Sequence, residues 1–174
     1  GSCQPRKNIE TLLNALARLD DVDWVFAQVG GRFSAEQRGL IGELGLEERL
    51  IQPGPVSEDE LRLWYAAADA LAFPSLYEGF GLPVAEAMAA GLPVVCARAA
   101  SLPEITALPD APPAALLVDP HDEAALGHAL AQALADEPQR QELIARGRVR
   151  AQQLTWAATA RETLTVYQRT LANI

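Results

Sequence analysis

The stretch PSLYEGFGLPVAEAMAAGLPVV, Pro74 to Val95, decides how the chain is read: strand end, glycine loop, helix, tight turn and strand. Phe73 and Pro74 close the apolar run ADALAF, and Gly79 and Gly81 free the backbone of the following turn. Pro83 suits the first position of a helix, because the N–H it lacks would be unpaired there anyway. Glu86 is then expected in that helix's first turn. In a parallel α/β sheet the carboxyl ends of the strands face the ligand crevice, which puts the loop around Glu78 on the working edge.

Free N–H groups at a helix start and in a glycine loop suit an anionic ligand such as phosphate. Glu78 in the loop and Glu86 on the helix are separated by seven residues, within reach of one bound molecule. Carboxylates accept hydrogen bonds, and sugar hydroxyls donate them. The pattern therefore fits a ligand carrying both phosphate and hydroxyl groups, with the backbone of Gly79, Phe80, Gly81 and Leu82 facing the phosphates. A plainer reading also holds: a first-turn glutamate complements the helix dipole anywhere, and a loop glutamate is usually solvated.

Outward from this segment, short apolar strands alternate with helices. Asn8 is a plausible N-cap, with Ile9, Leu12, Leu13, Leu16 and Leu19 following at helical spacing. Arg6 and Lys7 then lie on the loop feeding that helix, where two adjacent cations fit a diphosphate or are simply solvated. WVFAQV (Trp24 to Val29) reads as a buried strand running into Gly30 and Gly31, and RLIQ (Arg49 to Gln52) as a second, with Pro53 to Val56 as the loop after it. Ser34 with Gln37 and Ser57 with Glu60 form capping boxes, and Gly45 closes the helix begun at Ser34. Leu61, Trp64, Tyr65 and Ala68 share one helix face, read as core. LPVVCA and ALLV are further strands, SLPEI a turn with a short helix in which Ser101 offers a hydroxyl or N–H, and a long helical region follows, broken near Gln153 to Trp156 where Thr155 caps the last segment. His121 and His128 lie away from the glutamates in this pattern and read as surface or structural residues. The expected fold is a Rossmann-like α/β three-layer sandwich with a mostly parallel sheet, because parallel strands joined by right-handed helical crossovers satisfy the alternation.

Composition narrows the function. The chain has 174 residues, 49% hydrophobic and 21% charged, which is ordinary for one globular domain with a sizeable core. A net charge of -9 without a basic stripe argues against a nucleic-acid partner and does not favour an anionic membrane. Cys3 and Cys96 form no disulfide framework, so a cytoplasmic location is expected. No apolar run approaches the roughly 20 residues of a transmembrane helix. No metal is expected.

EGFGLPVAEAMAAGLPVV resembles the E-x7-E segment of the retaining glycosyltransferases called glycosyl transferases group 1, built from two Rossmann-like lobes in the GT-B architecture. PRKNIETLLNAL, GPVSEDELRLWYAAADALAFPSLYEGFG and LLVDPHDEAAL follow in the order of that family's C-terminal lobe and cover nearly the whole chain. The resemblance implies that residues 1–174 are a C-terminal donor-binding lobe, with a strand expected just before Gly1 and an N-terminal acceptor-binding lobe as partner. It further implies a hexose donor in the form of a nucleoside diphosphate sugar, GDP-mannose or UDP-hexose, and transfer to an acceptor hydroxyl with retention. Lys7, then Arg6, would face the phosphates, Glu78 the sugar hydroxyls, Glu86 the ribose, Gly30 the nucleotide and Val56 with its loop the base. Relatives that carry an arginine at or near Gly1 or Ser2 differ here, and Gly1-Ser2 read either as a native turn or as a cloning scar. The terminal helix, with Trp156, Leu164, Tyr167 and Leu171, would pack on the other lobe or on a second copy. Two other classes remain open: a dinucleotide oxidoreductase, against which VGGRFS lacks the third glycine of G-x-G-x-x-G, and a non-catalytic nucleotide-sugar module.

Overall fold

The computed structural model describes residues 1–20 and 22–172. A 3-10 turn (Pro5–Lys7) leads into α1 (Ile9–Leu16), β1 (Phe26–Val29), α2 (Ala35–Glu43), a second 3-10 turn (Glu47–Arg49), β2 (Leu50–Gly54) and α3 (Glu58–Ala67). The second half runs β3 (Leu71–Phe73), α4 (Leu82–Ala90), β4 (Val94–Ala97), α5 (Leu102–Thr106), β5 (Leu116–Val118), α6 (Glu123–Ala135), α7 (Glu137–Gln153) and α8 (Trp156–Ala172).

Every described strand pairing is parallel, as the alternation of strands and helices requires. The strands form two groups, β1-β2 and β3-β4-β5, rather than the continuous sheet expected. Strand β4 sits in the middle of its group and is buried along its length. Successive side chains leave a strand on opposite faces. Val95 accordingly joins the core built on Leu12, Leu13 and Leu16 of α1 and Leu126 and Leu130 of α6, while Val94 and Cys96 join Val84, Ala87 and Met88 of α4 and Leu102 of α5. Two apolar clusters on two faces of one strand give the three-layer Rossmann-like architecture. Burial pushes the Cys96 thiol up to about 12, so it stays protonated among apolar neighbours.

Several local expectations hold and several shift. Ser34 and Ser57 close their capping boxes with Gln37 and Glu60, and Thr155 Oγ1 accepts from the Ala158 N–H at 3.1 Å. Asn8 occupies the N-cap position in a left-handed conformation, φ 57°, but its side chain caps nothing. It donates instead to the carbonyls of Pro74 at 3.2 Å and Pro120 at 2.6 Å. The first strand is shorter than WVFAQV, beginning at Phe26. Strand β2 runs on through Pro53 and Gly54, which the sequence reading assigned to a loop. Proline is tolerated there because β2 lies at the outer edge of its pair, with a register shift between Ala27 and Val29 opposite it. Among the described residues, no helix is long and apolar enough to cross a membrane.

Candidate functional site

The loop after β3 and the chain start meet at the carboxyl end of the strands. The Leu76 N–H donates to the Arg6 carbonyl at 2.8 Å, and Asn8 spans from the Pro74 carbonyl to that of Pro120. These contacts bring residues about 70 positions apart into one cluster. Lys7 Nζ lies 2.5 Å from Glu78 Oε1 and 4.9 Å from the centroid of the Phe73 ring. Arg6 Nη1 donates to both Glu78 oxygens at 3.3 Å. The Lys7 and Glu78 side chains are each only 12% exposed, while Arg6 is 46% exposed. Desolvation pushes the Glu78 carboxyl up, but hydrogen bonds from Lys7 and Ser75 and the charges of Lys7 and Arg6 outweigh it, so its pKa lies below the ordinary value. Two cations and one carboxylate leave this cluster net positive, as a diphosphate requires.

Gly81 turns the loop into α4. Its φ of +97° is left-handed, and a Cβ there would stand 2.8 Å from Leu102 Cδ2, so both backbone and packing call for glycine. Ser101 Oγ lies 3.0 Å from the carbonyls of Glu78 and Phe80, which ties the loop to the start of α5. Those bonds turn two carbonyls inward. Among the described residues, the N–H groups of Gly79, Phe80, Gly81 and Leu82 meet no protein acceptor, and they stand at the positive end of α4. Phe80 and Leu82 are exposed beside them.

Glu86 is the fifth residue of α4 and not, as expected, in its first turn. The dipole account of this residue therefore weakens, since that field falls off within one turn. The Tyr65 hydroxyl donates to Glu86 Oε2 at 2.9 Å and lies 3.5 Å from the Pro83 carbonyl. Burial first, and then Glu86, raise the Tyr65 pKa far above its ordinary value, so the phenol stays a donor. Glu86, Tyr65, Ser75 and Lys7 line one cavity of about 630 Å³.

A family model, Glycosyl transferases group 1, matches residues 1–150. The O-antigen chain mannosyltransferase B of Escherichia coli is 35% identical over 188 residues, a match covering 97% of this chain and 44% of that protein. The chain belongs to the glycosyl transferases group 1 family. Its fold agrees: the sucrose-phosphate synthase from Thermosynechococcus elongatus superposes with a TM-score of 0.84 at 34% identity, over 100% of this chain and 45% of that one. Anabaena Alr3699/HepE, solved in complex with UDP-glucose, shares the fold with a TM-score of 0.80 at 24% identity, over 100% of this chain and 47% of that one. This group 1 chain thus spans less than half the length of these relatives, and it corresponds to the C-terminal lobe of larger GT-B enzymes.

Of the residues singled out in this group 1 chain, Arg6, Lys7 and Glu78 touch one another, and Glu86 shares a cavity wall with Lys7. Gly30 stands apart. A Cβ on it would lie 2.8 Å from the Gly1 nitrogen, so the close approach of the chain start accounts for this glycine. Val56, between β2 and α3, is not among the residues lining the cavity. His121 and His128 are exposed. Sequence reasoning missed three positioning groups: Asn8, read as a cap; Tyr65, read as core; and Ser75, which the apolar pattern passed over. The one signal in the sequence was the polar tip of Tyr65, since a buried tyrosine hydroxyl needs a partner.

Proposed function

We propose that this chain is the donor-binding lobe of a retaining, metal-independent hexosyltransferase that moves a hexose from a nucleoside diphosphate sugar to an acceptor hydroxyl. The observation that carries this reading is the Lys7–Glu78–Arg6 cluster at the start of the loop whose Gly79 to Leu82 amides meet no protein acceptor among the described residues, with Glu86 sharing a cavity wall with Lys7. In the reaction the bond between the anomeric carbon and the phosphate oxygen breaks, and its electron pair stays on the diphosphate. Lys7, Arg6 and the loop amides stabilise that developing charge, a role that needs no metal. The acceptor oxygen bonds the anomeric carbon on the face the diphosphate leaves, and its proton passes to the departing phosphate. Glu78 orients the two cations and accepts from sugar hydroxyls, while Glu86, held by Tyr65, accepts from the ribose.

The matching relatives supply the substrate class. An E. coli mannosyltransferase at 35% identity favours a mannose donor, so GDP-mannose is the first ligand to test and UDP-hexoses the second. The acceptor pocket belongs to an N-terminal lobe, and the whole enzyme acts in the cytoplasm, where nucleotide sugars are made. The test is calorimetric titration of the chain with GDP, UDP, ADP and their hexose conjugates. Saturable binding of one diphosphate and its sugar, weakened in Glu86→Ala, supports the reading. Equal heats for wild type and variant remove Glu86 from the site, and absence of binding by every ligand removes the donor-lobe assignment.

A further inference from the structure

A peptide unit is planar, so the carbonyl of one residue and the N–H of the next point in opposite directions. Whatever fixes the Glu78 and Phe80 carbonyls therefore also aims the Gly79 and Gly81 amides, which meet no protein acceptor among the described residues. The neighbouring carbonyls have partners of their own. That of Tyr77 lies 3.4 Å from Arg6 Nη1, and that of Gly81 accepts from the N–H groups of Val84 at 2.9 Å and Ala85 at 3.3 Å. The Glu78 and Phe80 carbonyls each stand 3.0 Å from Ser101 Oγ, whose single hydrogen they share. Among the described residues no other protein group bonds either of these two peptide units. Packing adds nothing at Gly79, where a Cβ would meet no atom within 4 Å.

Ser101 is held rigidly from behind. An N-cap serine is ordinarily extended and accepts from the N–H two or three positions on. Ser101 stands at the N-cap of α5 but is already helical, with φ -77° and ψ -10°, and its side chain caps nothing. Ala100 before it has φ +50°, a left-handed conformation rare for a residue with a side chain. Strain of that kind persists where the surroundings over-determine a corner, as they do at functional sites. The Ser101 carbonyl accepts from the Ile105 N–H at 2.9 Å, and Leu102 beside it is fully buried. Arg150 of α7 donates to the carbonyls of Ile105 at 2.8 Å and Glu104 at 3.0 Å, which closes the far end of α5. A short helix pinned at both ends presents the hydroxyl as a fixed point.

From this geometry we infer that Ser101 is a positioning residue of the candidate site: its hydroxyl, acting through the Glu78 and Phe80 carbonyls, aims the Gly79 and Gly81 amides outward to receive a diphosphate. The sequence pattern offered this hydroxyl to the ligand itself, and the structure turns it to the loop instead. The diphosphate rests on the donor reading above; the aim of the two amides does not. Without the hydroxyl both peptide units turn about the flanking glycines, whose backbone resists rotation least. Carbonyl oxygens then face the anion for part of the time, and they repel it.

The test compares wild type, Ser101→Ala and Ser101→Thr in the 174-residue chain. Residual dipolar couplings report the N–H directions of Gly79 and Gly81 without any ligand, with Val94–Ala97 of β4 as the reference for an intact fold. Calorimetry with inorganic pyrophosphate and with GDP reports binding. In Ser101→Ala the Gly79 and Gly81 couplings should change while those of β4 stay, and pyrophosphate affinity should fall roughly tenfold, the effect of one misaimed hydrogen bond to a charged group. Ser101→Thr, which keeps the hydroxyl, should behave as wild type. Should β4 change as well, Ser101→Cys, of similar shape with a weaker donor, is read the same way. Unmoved Gly79 and Gly81 couplings, unchanged pyrophosphate affinity, or an equal loss in Ser101→Thr overturns the inference. Turned amides in a protein whose wild type binds neither pyrophosphate nor GDP would instead sink the donor reading, and with it the ligand named here, while upholding Ser101 as the group that aims them.

Discussion

Lys7 and Glu78 form the shortest contact of the candidate site, and each depends on the other. Replacing Lys7 with methionine keeps an unbranched side chain but removes the ammonium that stands over Phe73, and leaves the more exposed Arg6 as the cation beside Glu78. Loss of one charge-assisted contact to phosphate is worth about 1.5–3 kcal/mol, so nucleoside diphosphate affinity should fall roughly 10- to 100-fold by calorimetry. The Glu78 pKa is depressed in the folded state, so its contribution to stability is full above the ordinary value of 4.5 and is lost as pH falls through the folded pKa. Glu78→Gln should therefore melt below wild type at pH 6, and the difference should close as the medium is acidified below that range. A gap that stays constant with pH would show that the ion pairs add nothing.

Tyr65 acts through Glu86, to which it donates at 2.9 Å. Tyr65→Phe keeps the ring and removes that donor. Affinity for ribose-bearing diphosphates should drop several-fold, in keeping with about 1 kcal/mol for one hydrogen bond, while inorganic pyrophosphate binds as before. Equal losses for both ligands would instead indicate a general disturbance of the site.

At the scale of elements, α4 depends on how it starts and α8 on what it touches. Gly81→Ala forces a side chain into a left-handed conformation and against Leu102, costing about 2 kcal/mol or more, a fall in midpoint of roughly 5 °C for a chain of this size. Gly79→Ala is the control: a Cβ there meets nothing within 4 Å, so the midpoint should barely move. Helix α8 buries none of its described residues, and Trp156 is 83% exposed. Ending the chain after Leu154 should change the midpoint by less than about 1 kcal/mol equivalent, because few buried contacts are lost. A large loss on calorimetry would mean that α8 packs on this lobe after all.

At the scale of the whole molecule, the lobe brings the groups proposed to hold the donor together at the carboxyl ends of its strands, and a chain of under half its relatives' length is expected to bind without turning over. Incubation of the homogeneous chain with GDP-mannose and simple acceptors should release no GDP above the rate without protein. What the residues determined by themselves were the local features. Ser34 and Ser57 announced their helices, Gly81 its left-handed turn, and the alternation of apolar strands and helices the parallel fold, because each depends on neighbours a few positions away. Placement of the strand ends and of Asn8 was misread for the opposite reason: β2 continues through Pro53 because, among the described residues, no further strand pairs beyond it, and Asn8 serves two loops remote in sequence. Only the tertiary structure decided that Lys7 meets Glu78, that Tyr65 turns its hydroxyl to Glu86, and that residues of β1 and β3 line one cavity. Strand order and the crossing of loops over the sheet set those distances, and spacing along the chain carries no record of either.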